Sequence, residues 1–162
     1  MISFTGGKMD KVLPHHGYFT IKVFDENGKE KFSERTENIM TNVGINQLGD
    51  LMIQVNTYTV KYINVGSGTN TPAVGDTELQ TVALGATRQV ATSRTRSNQT
   101  VTFTLNISSS LYTRPITITE LAVYFDGSSG TNGAIFARGL LSTAVTIATN
   151  DTASVTYGVL LR

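Results

Sequence analysis

The stretch Gln99-Thr100-Val101-Thr102-Phe103-Thr104-Leu105-Asn106-Ile107-Ser108 decides the fold. From Val101 onward every second side chain is apolar, and the intervening ones are threonine or asparagine. A period of two puts Val101, Phe103, Leu105 and Ile107 on one face of a β-strand; on a helix they would scatter around the axis. Threonine suits the opposite, wet face because its branched Cβ fits a pleated surface and its hydroxyl hydrates. Asn98 precedes the stretch, and residues 86–97 before it form the other arm of a predicted hairpin.

Working outward, more strands appear. Residues 116–125 begin with Ile116 and Ile118 in one phase and continue with Leu121, Val123 and Phe125 in the other. The one-residue slip beside Glu120 predicts a β-bulge. Strands follow at 134–141, 143–149 and 154–161, the last placing Val155, Tyr157, Val159 and Leu161 on one face. Upstream, Phe19, Ile21 and Val23 alternate within 17–24. Asp25-Glu26-Asn27-Gly28 reads as a tight turn needing positive φ, and the charged return strand near 29–36 is expected at an exposed edge. Residues 58–65 form a further strand. Only residues 42–54 suggest a helix, with Asn42 as N-cap and Val43, Leu48, Leu51, Met52 and Val55 near one face, although Gly44 and Gly49 weaken it. Asp76 is expected to cap a single turn through Leu79. The sum is an all-β, mainly antiparallel β-sandwich or jelly roll with one short helix. Residues 17–162 form the domain, and residues 1–16, without alternation, an N-terminal arm.

Composition agrees. Of 162 residues 25 are threonine, 15 are glycine and only 3 are proline, and the charged fraction of 15% leaves few residues to coat helices. With no cysteine there are no disulfides, thiolate metal sites or cysteine nucleophiles. A net charge of +1 supplies no field for nucleic acid or an acidic membrane. No apolar run nears the roughly 18 residues of a membrane span, and the N-terminus lacks the apolar centre of a signal peptide. The expectation is a soluble domain made in a reducing compartment, with no membrane and no nucleic-acid partner.

Few residues carry chemistry. His15 and His16 are adjacent, so on a strand they point to opposite faces, and only Asp10 lies near; an exposed arm explains them better than a metal. No Gly-x-Ser-x-Gly elbow accompanies them. The turn at Asp25 resembles a calcium loop only superficially, because Thr36 stands where the twelfth-position glutamate belongs. Gly66-Ser67-Gly68 lacks the lysine of a phosphate-binding loop. Glu120, set in an apolar strand, is the best candidate acid, yet no second carboxyl answers it; a buried pair with an arginine such as Arg138 is the expected role. Arg88, Arg94 and Arg96 share a parity and are expected to form one stripe, a solvated face or an intersubunit contact. No cofactor is implied.

A longer order of motifs is also present. Residues 41–46 (TNVGIN) open the helix and 62–69 (YINVGSGT) close a strand. Residues 71–79 (TPAVGDTEL) come next, then an arginine strand, then 118–124 (ITELAVY), 134–138 (AIFAR) and 151–157 (DTASVTY). This order, spanning about residues 40–162, resembles a diffuse group of tailed-bacteriophage structural proteins associated with tail fibres, baseplates or virion surfaces. The resemblance implies a β-rich virion component without catalytic activity or catalytic residues, assembled in several copies. It gives Gly66 and Gly68 a tight exit from a strand, Asp76 a capping role, and Glu120 and Arg138 a paired charge between strands.

Function then has two readings. One is a non-enzymatic virion structural protein, either a tail, fibre or baseplate component or a capsid decoration protein, contacting copies of itself as a trimer or ring and other virion proteins. The alternative is a receptor-binding module for host surface glycan; without tryptophan, Tyr58, Tyr62 and Tyr112 would supply the platform, with Tyr112 in a loop the best placed. The apolar residues of the arm, Ile2, Phe4, Met9, Val12 and Leu13, suggest docking on a neighbouring subunit or the particle.

Overall fold

The computed structural model describes residues 17–55, 57–83, 85–126 and 133–161. It is an all-β chain with one short helix. The strands are β1 (Gly17–Phe24), β2 (Glu30–Met40), β3 (Val60–Gly66), β4 (Gln89–Val90), β5 (Ser93–Ser97), β6 (Thr100–Ile107), β7 (Ile116–Phe125), β8 (Ile135–Ile147) and β9 (Thr152–Leu160). The helix α1 (Asn42–Met52) lies between β2 and β3. The strands form one antiparallel sheet in the order β4-β3-β7-β8-β2-β1-β9-β6-β5.

The two layers of the domain are the two halves of this single sheet, curled over one core. Strands β8 and β9 are separated by β2 and β1, which in a flat sheet would hold them about 14 Å apart. Yet the Phe136 and Tyr157 rings meet edge-on with centroids 6.1 Å apart. The two edge strands are also consecutive in the chain. Only Ala91 and Thr92 separate β4 from β5, so the sheet's ends lie within about 11 Å, three Cα steps. The core between the halves joins Phe19, Ile21, Leu105, Ile118, Leu121, Val123, Val155 and Tyr157, all at most 2% exposed.

Local signals behave as their chemistry requires. Gly28 has φ +78°, and its N–H donates to the Asp25 carbonyl at 2.9 Å. The Asp25 carboxylate accepts the Asn27 and Lys29 N–H groups, closing the β1–β2 hairpin. Asn98 takes φ +51° at the β5–β6 turn. The register against β8 shifts between Ile118 and Glu120, where the apolar phase slips.

Four expectations are corrected. The charged return strand β2 is not an edge but sits between β1 and β8. It pairs with β8 only over Asn38–Met40; farther along, side chains replace the ladder. Glu34 accepts the Ser142 and Thr143 N–H groups at 2.6 and 3.3 Å, and Thr36 Oγ1 donates to the Leu140 carbonyl at 2.7 Å. The two strands expected over 134–149 are one strand of 13 residues, β8. Residues 86–97 are not one strand: the chain crosses from one sheet edge to the other at Ala91-Thr92, and parity is lost there. Arg88 therefore leaves the stripe, whereas Arg94 and Arg96 remain on β5 opposite Phe103 and Val101, at the exposed edge. Finally, Thr41 rather than Asn42 caps α1. Its Oγ1 accepts the Gly44 N–H at 2.9 Å, and its hydroxyl donates to the Ile135 carbonyl at 2.6 Å.

Candidate functional site

Residues 67–83 and 85–88 form a strap: residues 67–80 run across the outer face of β3, β7 and β8, and residues 81–83 pair along the end of β3. The strands beneath have apolar side chains on both faces: Leu121 and Val123 point to the main core, while Ala122, Tyr124 and Ile135 form a second small cluster with Leu79 of the strap. Near-continuous apolar runs are what strands buried on both sides require.

Glu120, fully buried, holds one end of the strap. Its Oε1 accepts the N–H groups of Gly68 and Thr81 at 3.0 and 2.8 Å, and its Oε2 that of Gln80 at 3.1 Å. Oε2 also accepts the Arg138 Nε–H at 2.7 Å, and the charge of Nη2 lies 2.6 Å from it as an ion pair. Arg138, 2% exposed, continues to the strap through Nη1 to Asp76 Oδ2 at 2.7 Å and Nη2 to the Asn70 carbonyl at 3.1 Å. Burial alone would lower the Arg138 pKa; hydrogen bonds to Asp76 and Glu120 outweigh it and hold the guanidinium above its ordinary value. A carboxylate offers about four lone-pair sites, and four N–H groups donate to Glu120, so no acceptor capacity is left over for a substrate.

The neighbouring residues are explained by this cluster. A Cβ on Gly66 or Gly68 would lie 2.5 or 2.4 Å from Glu120 Oε1. Both glycines are therefore needed for the close approach of the carboxylate, which also serves the strand exit at Gly66. Asp76 does not cap a helical turn through Leu79. It closes the turn before it, donating its N–H to the Ala73 carbonyl at 3.0 Å and accepting the Ala73 N–H at 2.9 Å, because Arg138 draws its carboxylate inward.

Arg88 holds the other end. Its guanidinium lies 3.8 Å from the Tyr124 ring centroid, bonds the Glu78 carboxylate, and donates to the Gly133 carbonyl at 3.0 Å. Burial pushes the Tyr124 hydroxyl above its ordinary pKa, with the Glu78 charge adding to the effect. Tyr112 is also corrected: only 6% exposed, it donates to the Thr87 carbonyl at 3.3 Å and presents no ring to solvent. Of the singled-out residues, the fold thus gathers Glu120, Arg138, Gly66, Gly68 and Asp76 into one cluster, keeps Arg94 and Arg96 together on β5, and separates Arg88 and Tyr112 from them. Gln80, Thr81, Glu78 and Tyr124 were not legible as partners, although apolar residues in both phases of β7 are the trace of a covering segment. The histidine pair and the arm lie outside the described residues.

Among the described residues no group of three or more histidine, cysteine or acidic side chains is placed to hold a metal ion, and no helix is long and apolar enough to cross a membrane. Compared with protein families, curated proteins and solved structures, the chain has no match in any of the three.

Proposed function

We propose that this chain is a non-enzymatic structural subunit of a tailed-bacteriophage virion, assembled in several copies on the tail, fibre, baseplate or capsid surface. The observation that carries the reading is the use made of the buried charges. Glu120, Arg138 and Asp76 are bound to one another and to the strap's backbone, so they hold a surface segment in place and face no cleft. A second feature supports assembly in copies. Thr20, Thr156, Thr104 and Ser93 stand in register across β1, β9, β6 and β5 on the outer face, a hydroxyl row that ends at Arg35 of β2. With a net charge of +1, copies of the chain pack side by side with little overall charge repulsion.

The test is electron microscopy of purified phage particles decorated with antibody against the chain. Label on heads or on tails is the expected result and separates decoration protein from tail component; particles without label overturn the reading. Light scattering of the purified chain reports whether it forms a trimer or ring before attachment. Host-glycan binding, the other reading, loses Tyr112 as its platform, and binding on a saccharide array would restore it.

A further inference from the structure

Strand β5 ends the sheet, and every one of its residues is exposed. It is paired only on its β6 side, and the register says which of its backbone groups stay free. The Gln99 carbonyl accepts the Leu161 N–H at 2.8 Å, so β6 turns its odd-numbered residues toward β9 and its even-numbered ones toward β5. The N–H of Asn106 accordingly donates to Thr92 Oγ1, just before β5, at 2.9 Å. Ser93, Thr95 and Ser97 stand opposite Thr104, Thr102 and Thr100 and bond to them. The N–H and C=O groups of Arg94 and Arg96 therefore point out of the sheet's edge. Among the described residues nothing pairs with those groups, and neither guanidinium has an ion-pair partner. The same two residues thus present unpaired backbone and two free charges, their side chains on one face because they are two apart.

An unpaired edge is a template for another strand, and the charges on it select which strand. Pairing with β5 of a second copy, antiparallel about Thr95, would set Arg94 opposite Arg96 twice, and like charges directly opposite oppose that pairing. The other edge, β4, is two residues long and offers a second copy little ladder. A phosphate chain would meet the two charges but leave the backbone groups unpaired. We propose that β5 is a docking edge for an extended acidic segment of another protein, which adds to the sheet with carboxylates opposite Arg94 and Arg96, hence two residues apart. Its backbone completes the outward hydrogen bonds of Arg94 and Arg96, and its carboxylates fix the register. The site is independent of the virion reading.

The test uses the full-length chain and short synthetic peptides. One peptide alternates threonine with glutamate, a second alternates threonine with lysine, and a third is the first with its backbone N-methylated at the glutamates. Affinity is read by fluorescence anisotropy and edge pairing by amide hydrogen exchange. The glutamate peptide should bind about tenfold more tightly than either of the others. It should slow exchange of the Arg94 and Arg96 amides by about tenfold while Thr95, already paired to β6, is unchanged. Arg94→Glu together with Arg96→Glu, at exposed positions that leave the core intact, should reverse the preference to the lysine peptide. Equal binding of the N-methylated peptide overturns the added strand and leaves charge attraction alone. Equal binding of the lysine peptide overturns the carboxylate contact, and no binding of any peptide overturns the docking edge. Slow Arg94 and Arg96 exchange in the free chain that is lost on dilution would place a second copy there and overturns it as well.

Discussion

Arg138 reaches Glu120 diagonally across β7 and β8. Its direct cross-strand partner is Ala122, yet its Nε and Nη2 lie 2.7 and 2.6 Å from Glu120 Oε2. The small Ala122 side chain leaves room for the long arginine to cross, and the diagonal places its third nitrogen, Nη1, under Asp76. One guanidinium thereby ties two strands to the strap.

Breaking this pair from one side is expected to be costly. Arg138→Met leaves the Glu120 charge buried without a cation, and Glu120→Leu leaves Arg138 only Asp76 and the Asn70 carbonyl; each should lose about 3 to 5 kcal/mol. The double variant should lose less than the sum, measured by urea unfolding in a double-mutant cycle. It should not approach wild type, because the Gly68, Gln80 and Thr81 N–H groups lose their acceptor in either case. Additive losses would show that the two side chains do not act together.

Gly68→Ala should destabilise by about 1 to 3 kcal/mol, since the new Cβ meets both Glu120 Oε1 and Gln80 Cβ. Gly75→Ala, in the same strap but with nothing within 4 Å, should stay within about 0.5 kcal/mol of wild type. Thermal melts of the two variants compare close approach with loop flexibility directly.

Thr41→Ala should cost about 0.5 to 2 kcal/mol, because it removes an N-cap acceptor together with the hydroxyl bond to Ile135. Asn42→Ala should change the urea midpoint little. The opposite ranking would return the cap to Asn42.

Acid should weaken the β8–β9 turn. Asp151 is held below its ordinary carboxylate pKa, first by the hydrogen bond from Lys31 at 2.8 Å and then by the Ala148 N–H at 3.0 Å. A depressed folded pKa contributes stability that is full above the unfolded value of 3.8 and is lost as pH falls through the folded one. The difference in urea midpoint between wild type and Asp151→Asn should therefore be larger at pH 6 than at pH 3. A difference that does not change with pH would remove Asp151 from the acid response.

Much of this was legible locally. Alternation over 99–108 and 154–160 identifies strands and their inner faces because side chains on a strand must alternate; Leu161, expected inward, lies past the end of β9 and is 52% exposed. The slip beside Glu120 marks an irregularity for the same reason, and Gly28 marks a turn because L side chains resist positive φ. A glutamate in an apolar strand also demands a partner wherever the chain folds, since an unpaired buried charge is too costly to keep. The order of strands was not legible. Charges on β2 suggested an edge, but Glu34 and Thr36 bridge to β8 where the ladder opens, and only the fold reveals which backbone groups they serve. The arginine stripe failed because parity holds only within one strand, and the chain changes edges at Ala91-Thr92. Tyr112 looked available because a loop position says nothing of what packs above it.

By itself the sequence determined an all-β chain with one short helix, the inner faces of β1 and β6, the turns at Gly28 and Asn98, and the need of Glu120 for a cation, all consequences of interactions within a few residues or of desolvation. Tertiary structure alone decided that the sheet curls until β4 and β5 stand two residues apart, that residues 67–80 cover its outer face, and that Asp76, Gly68, Gln80 and Thr81 meet around Glu120 and Arg138. Those contacts join residues tens of positions apart. They depend on sheet curvature and strand order, quantities that no local period encodes.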